Sequence, residues 1–297
     1  MLRGGRHCLS SFFSGSGRRH QSHGLHYPKL YQNTHELQQR DNRKVLEFYQ
    51  SALSREIAKS EGSQVLDIGC GSGDTTHKTL RPLMVDDFGC RRIVATDIST
   101  SMLDYARGAY PHRAISYDVF DVSSADSAQE LVSRYGHFEF VFSFYTLHWV
   151  RDLAGALANV RRVMLPQGQP SECLLSFLAL NPALLVYRIL GKDSRWAKYV
   201  ESTTIPFGEI YTQESLQQMA ESCDLKLRSC EVLSMEFGHA SLEKLRDSAV
   251  AVCPIHRTIP AEQRNDFEKD LVKSYLEISG GSEIFNYQIA VLHARSD

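Results

Sequence analysis

Apolar residues recur along this chain with two periods, and stretches of the two periods alternate. Between Asn33 and about Lys59, Leu37, Val45, Leu46, Tyr49, Ala52, Leu53 and Ile57 fall largely at helical spacing. Gln64 to Ile68 is a short apolar strand, and a helix is expected from about Asp74 to Met84. A second strand runs from Ile93 to Ile98. Ser99 and Ser101 can cap the helix that carries Met102, Leu103 and Ala106. Ile115 to Phe120 is a third strand. Phe138 to Tyr145 is nearly unbroken apolar and aromatic sequence, the pattern of a central parallel strand buried on both faces. A helix from Leu153 to Met164 stops at Pro166 and Gly168, and Glu172 to Leu180 is a fifth strand. Then follow a helix (Thr212 to Cys223), a long strand (Leu225 to Phe237), two helices (about Leu242 to Val252 and Ala261 to Glu277) and a closing strand from Ile284 to His293.

This alternation predicts an α/β, Rossmann-like fold: a doubly wound, mostly parallel seven-stranded sheet that binds ligands at the carboxyl ends of its strands. Three of the first four strands end in or beside an acid: Asp67, Asp97 and Asp121. Two segments, about 181–211 and 240–281, exceed the minimal fold and are expected to be helical cap insertions over the site.

Composition narrows the classes. With 42% hydrophobic and 23% charged residues, the 297-residue chain is an ordinary globule. A formal charge of −2, with no basic cluster beyond the N-terminus, argues against a nucleic-acid partner. No apolar run approaches the roughly 20 residues of a membrane span. The seven cysteines are scattered without any C-x-x-C, which disfavours a disulfide scaffold or a structural zinc site; no metal is expected. Residues 1–30 differ from the rest. They hold Arg3, Arg6, Arg18, Arg19 and Lys29 and no acid, a composition like that of a mitochondrial presequence, although Gly4-Gly5 and Gly15-Ser16-Gly17 interrupt any amphipathic helix. The expectation is a disordered leader followed by one domain over 31–297. The expected compartment is the cytoplasm, with mitochondria as the alternative.

The chemistry begins at Val65-Leu66-Asp67-Ile68-Gly69-Cys70-Gly71-Ser72-Gly73-Asp74, a buried strand feeding a glycine turn and a helix. Asp74 stands where a dinucleotide-binding G-x-G-x-x-G would carry its last glycine. The spacing, with an acid two residues before Gly69, resembles motif I of class I S-adenosylmethionine (SAM) methyltransferases. In that reading Gly69, Gly71 and Gly73 accommodate the methionyl part of SAM, and Asp67 supports the turn and can reach the cofactor's amino group. Asp97 accepts the ribose hydroxyls, Ile98 packs on the adenine, and Asp121 with the Val122 amide meets the adenine edge. Ser143 is a further cofactor candidate.

Phe142-Ser143-Phe144-Tyr145-Thr146-Leu147-His148-Trp149, Leu37-Gln38-x-Arg40-Asp41 and Asp247-Ser248-Ala249-Val250-Ala251-Val252-Cys253-Pro254 sharpen the resemblance. Together with motif I they resemble the juvenile hormone acid O-methyltransferases of arthropods, over roughly 31–275. Members of that family methylate the carboxylate of farnesoic acid or juvenile hormone acid. The resemblance implies a small hydrophobic carboxylic acid as substrate, and Gln38 and Trp149 as the residues holding its carboxylate. Both are neutral N–H donors, suited to orienting an anion without blunting its nucleophilicity. A carboxylate is already ionised at neutral pH and needs no base, so His148 is expected to shape the pocket or hydrogen-bond the acid. The alternatives are a methyltransferase for a polar carboxylate or a phenol, a silent SAM-binding module, and, weakest, an NAD-dependent oxidoreductase. Oligomeric state is not legible.

Overall fold

The computed structural model describes residues 27–60, 62–202 and 210–296; the expected leader lies outside the described residues up to position 26. The chain enters through helices α1 (Pro28–Thr34), α2 (Glu36–Tyr49) and α3 (Arg55–Ala58). The long helical segment expected here is thus broken at His35 and after Tyr49. Strand β1 (Gln64–Ile68) is buried at every position. The helix expected after it is π-helical, over Thr76–Leu80 and Pro82–Asp87. Pro82 inside it has no N–H for a regular i→i−4 bond, and the wider π geometry accommodates that defect.

Strand β2 (Arg92–Asp97) leads to α4 (Thr100–Ala109), whose N-cap Ser99 accepts the Met102 N–H as expected. After β3 (Ile115–Val119) comes α5 (Ala125–Tyr135), a helix absent from the expectations although Ala128, Leu131 and Tyr135 keep its period. Strand β4 (Phe140–Phe144), helix α6 (Leu153–Val163) and strand β5 (Glu172–Leu180) complete the parallel part. The rest comprises α7 (Pro182–Leu190), α8 (Ala197–Glu201), α9 (Gln213–Ser222), β6 (Lys226–Gly238), α10 (Leu242–Ala251), α11 (Arg264–Ile278) and β7 (Ile284–Arg295).

The sheet order is β3-β2-β1-β4-β5-β7-β6. The first five strands pair in parallel, and β7 runs antiparallel between β5 and β6. Each face has its own core, because strands buried on both sides need cover on both sides. Leu131, Leu157, Val160 and Leu216 pack on one face with Leu66 and Leu175; Val45, Leu46, Leu80 and Met84 pack on the other with Phe140 and Phe142. A third cluster joins the two insertions: Val186 and Tyr187 of α7, Trp196, Leu245 of α10, and Phe267 and Leu271 of α11. Residues 203–209 of the first insertion lie outside the described residues. Among the described residues no helix is long and apolar enough to cross a membrane.

Candidate active site

The motif I turn leaves β1 at the centre of the sheet, where strand order reverses and an open α/β sheet forms its ligand crevice. Gly69 has φ 76°, and a Cβ there would lie 1.9 Å from Thr146 Oγ1, so any side chain would displace the segment after β4. A Cβ on Gly73 would lie 2.8 Å from the Ala106 Cβ of α4. Gly71, at φ 55°, differs: its nearest neighbour would be the Tyr31 ring at 3.6 Å. Two of the three glycines thus serve close packing, and Gly71 keeps an open cradle that α1 covers through Tyr31.

Asp67 is buried, and its Oδ2 accepts the Thr76 hydroxyl at 2.6 Å. Burial pushes its carboxyl up to about 7 against that hydrogen bond, and the nearby Asp97 and Asp74 add to the rise. A cofactor ammonium beside it would restore the ionised form. Asp97 ends β2 half-buried; its Oδ2 accepts Gly71 N–H at 2.9 Å and its Oδ1 accepts Ser99 N–H at 2.8 Å. Burial also pushes this group up, opposed by those backbone bonds. The remaining lone pairs are acceptors for a vicinal diol. Ile98, beside it, is 36% exposed, an apolar surface suited to a purine face. Asp121 follows β3, with Oδ1 accepting the N–H and hydroxyl of Ser123, and the Val122 side chain is buried. Acids, open glycine cradle and exposed isoleucine therefore fit the expected adenosine cofactor. Ser143 differs from the expectation. It is fully buried in β4, and its hydroxyl donates to the Ile68 carbonyl at 3.1 Å, so its side chain ties two strands together.

Beside this turn a cavity of about 860 Å³, including its mouth, is lined by Gln38 and Leu37 of α2, by His148 and Trp149 after β4, and by Leu178 and Asn181 at the end of β5. Leu245, Ala249, Val252, Tyr275 and Phe285 of the cap and β7 close it. The structure thus brings Gln38, His148 and Trp149 to one apolar chamber. His148 is buried, and burial pushes its imidazole down to about 3. Its Nδ1 accepts the Leu178 N–H at 3.4 Å, which assigns the ring proton to Nε2. His148 is therefore a neutral donor at physiological pH.

Behind the chamber lies a network that sequence reasoning missed. Asp41, fully buried and one turn after Gln38, accepts the hydroxyls of Tyr145 (2.6 Å) and Tyr287 (2.5 Å) on Oδ2 and the Arg40 guanidinium on Oδ1 (2.9 Å). Tyr145 has φ 54°, a left-handed conformation uncommon for a bulky side chain, and it opens the turn that carries His148 and Trp149. A second tie joins α2 to motif I: Asp74 Oδ2 meets His35 Nε2 at 2.9 Å and Gln39 Nε2 at 2.5 Å. The signal was present, since Gln39 lies four residues after His35, so one helical turn brings the two side chains together.

A family profile described as "Methyltransferase domain" matches residues 66–170. The juvenile hormone acid O-methyltransferase of Drosophila melanogaster is 29% identical over 254 residues, 84% of this chain and 82% of that protein. The juvenile hormone acid O-methyltransferase of Bombyx mori is 28% identical over 281 residues, 90% of this chain and 96% of that protein. Among solved structures, a putative methyltransferase from Bacillus halodurans matches with TM-score 0.51 at 16% identity, over 86% of this chain and 98% of that one. That likeness speaks for the fold. With motif I and the matched profile, the chain carries a class I S-adenosylmethionine-dependent methyltransferase domain, and over most of its length it is similar to the juvenile hormone acid O-methyltransferases.

Proposed function

We propose that this protein methylates the carboxylate of a small hydrophobic acid, of the farnesoic or juvenile hormone acid type, to its methyl ester. The observation that carries the reading is the chamber itself: neutral N–H donors in apolar walls beside the motif I turn. The names of the Drosophila and Bombyx relatives support it.

Bound SAM would supply an electrophilic methyl on a sulfonium. Gln38 and Trp149 would hold the ionised acid and set the attack line, with the oxygen about 3 to 3.5 Å from the methyl carbon. No proton moves, since the acid is ionised well below neutral pH. A buried, neutral His148 whose Nδ1 is already engaged is a poor base and a good donor. That disfavours a phenol as acceptor, because a phenol with pKa of about 10 would need deprotonation. Apolar walls exclude water and favour a step in which opposite charges cancel.

Methyl transfer from labelled SAM to farnesoic acid, juvenile hormone acid, short fatty acids and aconitate tests the reading. Preferential labelling of the isoprenoid acids is expected. Gln38→Ala and Trp149→Ala should each lower kcat/KM about ten- to hundredfold, the effect of one hydrogen bond to a charged group, with cofactor binding retained. Labelling of aconitate alone would move the substrate, and no labelling despite SAM binding would overturn the proposal.

A further inference from the structure

One fully buried polar atom in the chamber wall has no hydrogen-bond partner among the described residues. Asn181 follows β5 and is the N-cap of α7: its Oδ1 accepts the Ala183 N–H at 3.1 Å, with Pro182 at the first helical position. Only the oxygen of a carboxamide can accept an N–H, so this bond fixes which end faces the helix. The residue is 6% exposed, and Nδ2 is buried without a hydrogen-bond partner. Four other polar side chains of the chamber are satisfied internally. Tyr145 and Tyr287 donate to Asp41, Ser248 to the Thr34 carbonyl, and Thr34 to the Leu30 carbonyl. Of the orphaned buried atoms among the described residues, Asn181 Nδ2 alone belongs to the lining of this chamber. A buried amide N–H left unpaired is uncommon and unfavourable. Here the cap holds the carboxamide in place, so the amino group cannot rotate away to find a partner.

Leu178, three residues earlier, donates to His148 Nδ1, so the end of β5 contributes to the same wall as His148. We propose that Asn181 orients the substrate: its Nδ2–H donates to an acceptor oxygen of the bound acid, adding a neutral donor to Gln38, Trp149 and His148. This rests on the carboxyl methyltransferase reading. The oxygen is either one of the carboxylate's or that of a hydroxyl, epoxide or keto group along the chain. Both present a lone pair to the same N–H.

Two substitutions separate this role from helix capping. Asn181→Ser keeps an oxygen at the cap and withdraws the amino group; Asn181→Asp keeps the cap and turns an acceptor toward the chamber. Serine and aspartate cap about as well as asparagine, so S-adenosylhomocysteine affinity should not change in either variant. The melting temperature of Asn181→Ser should stay within about 2 °C, while Asn181→Asp is expected to melt a few degrees lower because its carboxylate is buried. The expected kcat/KM toward the acid falls about three- to tenfold in Asn181→Ser and at least about thirtyfold in Asn181→Asp, mostly through KM. A loss shared by plain and oxygen-bearing acids assigns the bond to the carboxylate; a loss confined to oxygen-bearing acids assigns it to the second oxygen. Wild-type kinetics in both variants, on acids that the wild type methylates, would overturn this role alone. If the wild type binds acids calorimetrically without methylating them, the functional reading fails, and the variants' binding affinities decide the role of Asn181. Absence of any acid binding by the wild type overturns both.

Discussion

At pH 7 the imidazole of His148 is uncharged, because burial has pushed it from the ordinary range near 6.5 down to about 3. Its folded pKa lies below its unfolded one. Its contribution to stability is therefore complete above about pH 6.5 and is lost as pH falls toward 3, since only the unfolded chain takes up the proton in that window. For catalysis the same burial means that His148 does not titrate across the working range. The kcat/KM profile for an acid should lack a limb near pH 6.5 attributable to this residue. His148→Gln keeps a donor and removes the titration, and it should retain activity within about tenfold, whereas loss of a general base would cost about 10²- to 10⁴-fold. A limb near 6.5 in the wild type that disappears in the variant, with a loss above a hundredfold, would contradict the donor role.

Helix α2 presents Gln38 to the chamber, and one turn later it sends Asp41 into a knot that fixes the end of β4 and the start of β7. Two tyrosine hydroxyls and a guanidinium converge on that carboxylate. The guanidinium also donates to the Tyr287 hydroxyl at 2.7 Å and to the Glu236 carbonyl at 2.9 Å. Asp41→Asn would place an amide where only acceptors serve and strip Arg40 of its charged partner. Arg40 is about one-third exposed and can regain water, so the expected cost is about 2 kcal/mol, or about 4 to 8 °C in melting temperature. Tyr145 would then lose what holds its left-handed backbone, and KM for the acid should rise as His148 and Trp149 lose register. Thermal melting and steady-state kinetics check this together; an unchanged melting temperature would show that the knot carries no stability. The knot also shows where reading the sequence stops. The strands, motif I and the acids at their ends were legible because period and local spacing encode them, and the shared place of Gln38 and Trp149 in the chamber wall because a family pattern marks them. Asp41 stood in that pattern with no visible role, since its partners lie 104 and 246 residues away and only the fold brings them together. Helix α5 and the cap at Asn181, by contrast, were written locally in Ser124 and in Asn181-Pro182 and could have been read.

Across the whole molecule, the N-terminal helices are not an appendage to the sheet. Tyr31 covers Gly71, and His35 and Gln39 hold Asp74, so the layer that roofs the cofactor turn is the one that brings Gln38 to the chamber. Burial pushes the Asp74 carboxyl up. The hydrogen bonds from His35 and Gln39, with the charges of His35 and Lys78, outweigh burial and hold it at about 2. This folded pKa is depressed below the ordinary value, so the stabilisation is complete above about pH 4 and is lost as pH falls toward 2. The difference corresponds to about 2 kcal/mol, linked to the contact between the roof and motif I. Hydrogen exchange should therefore show α1 and α2 opening before β1 and β4 as pH is lowered through that window, after correction for the intrinsic exchange rate. His35→Ala with Gln39→Ala should produce the same early opening at pH 7. The double variant should also weaken S-adenosylhomocysteine binding several-fold and raise KM for the acid, because cofactor turn and acid chamber share this roof. If α1 and α2 stay as protected as the central strands in the double variant, their docking rests on the apolar contacts of Val45 and Leu46 with the sheet rather than on Asp74.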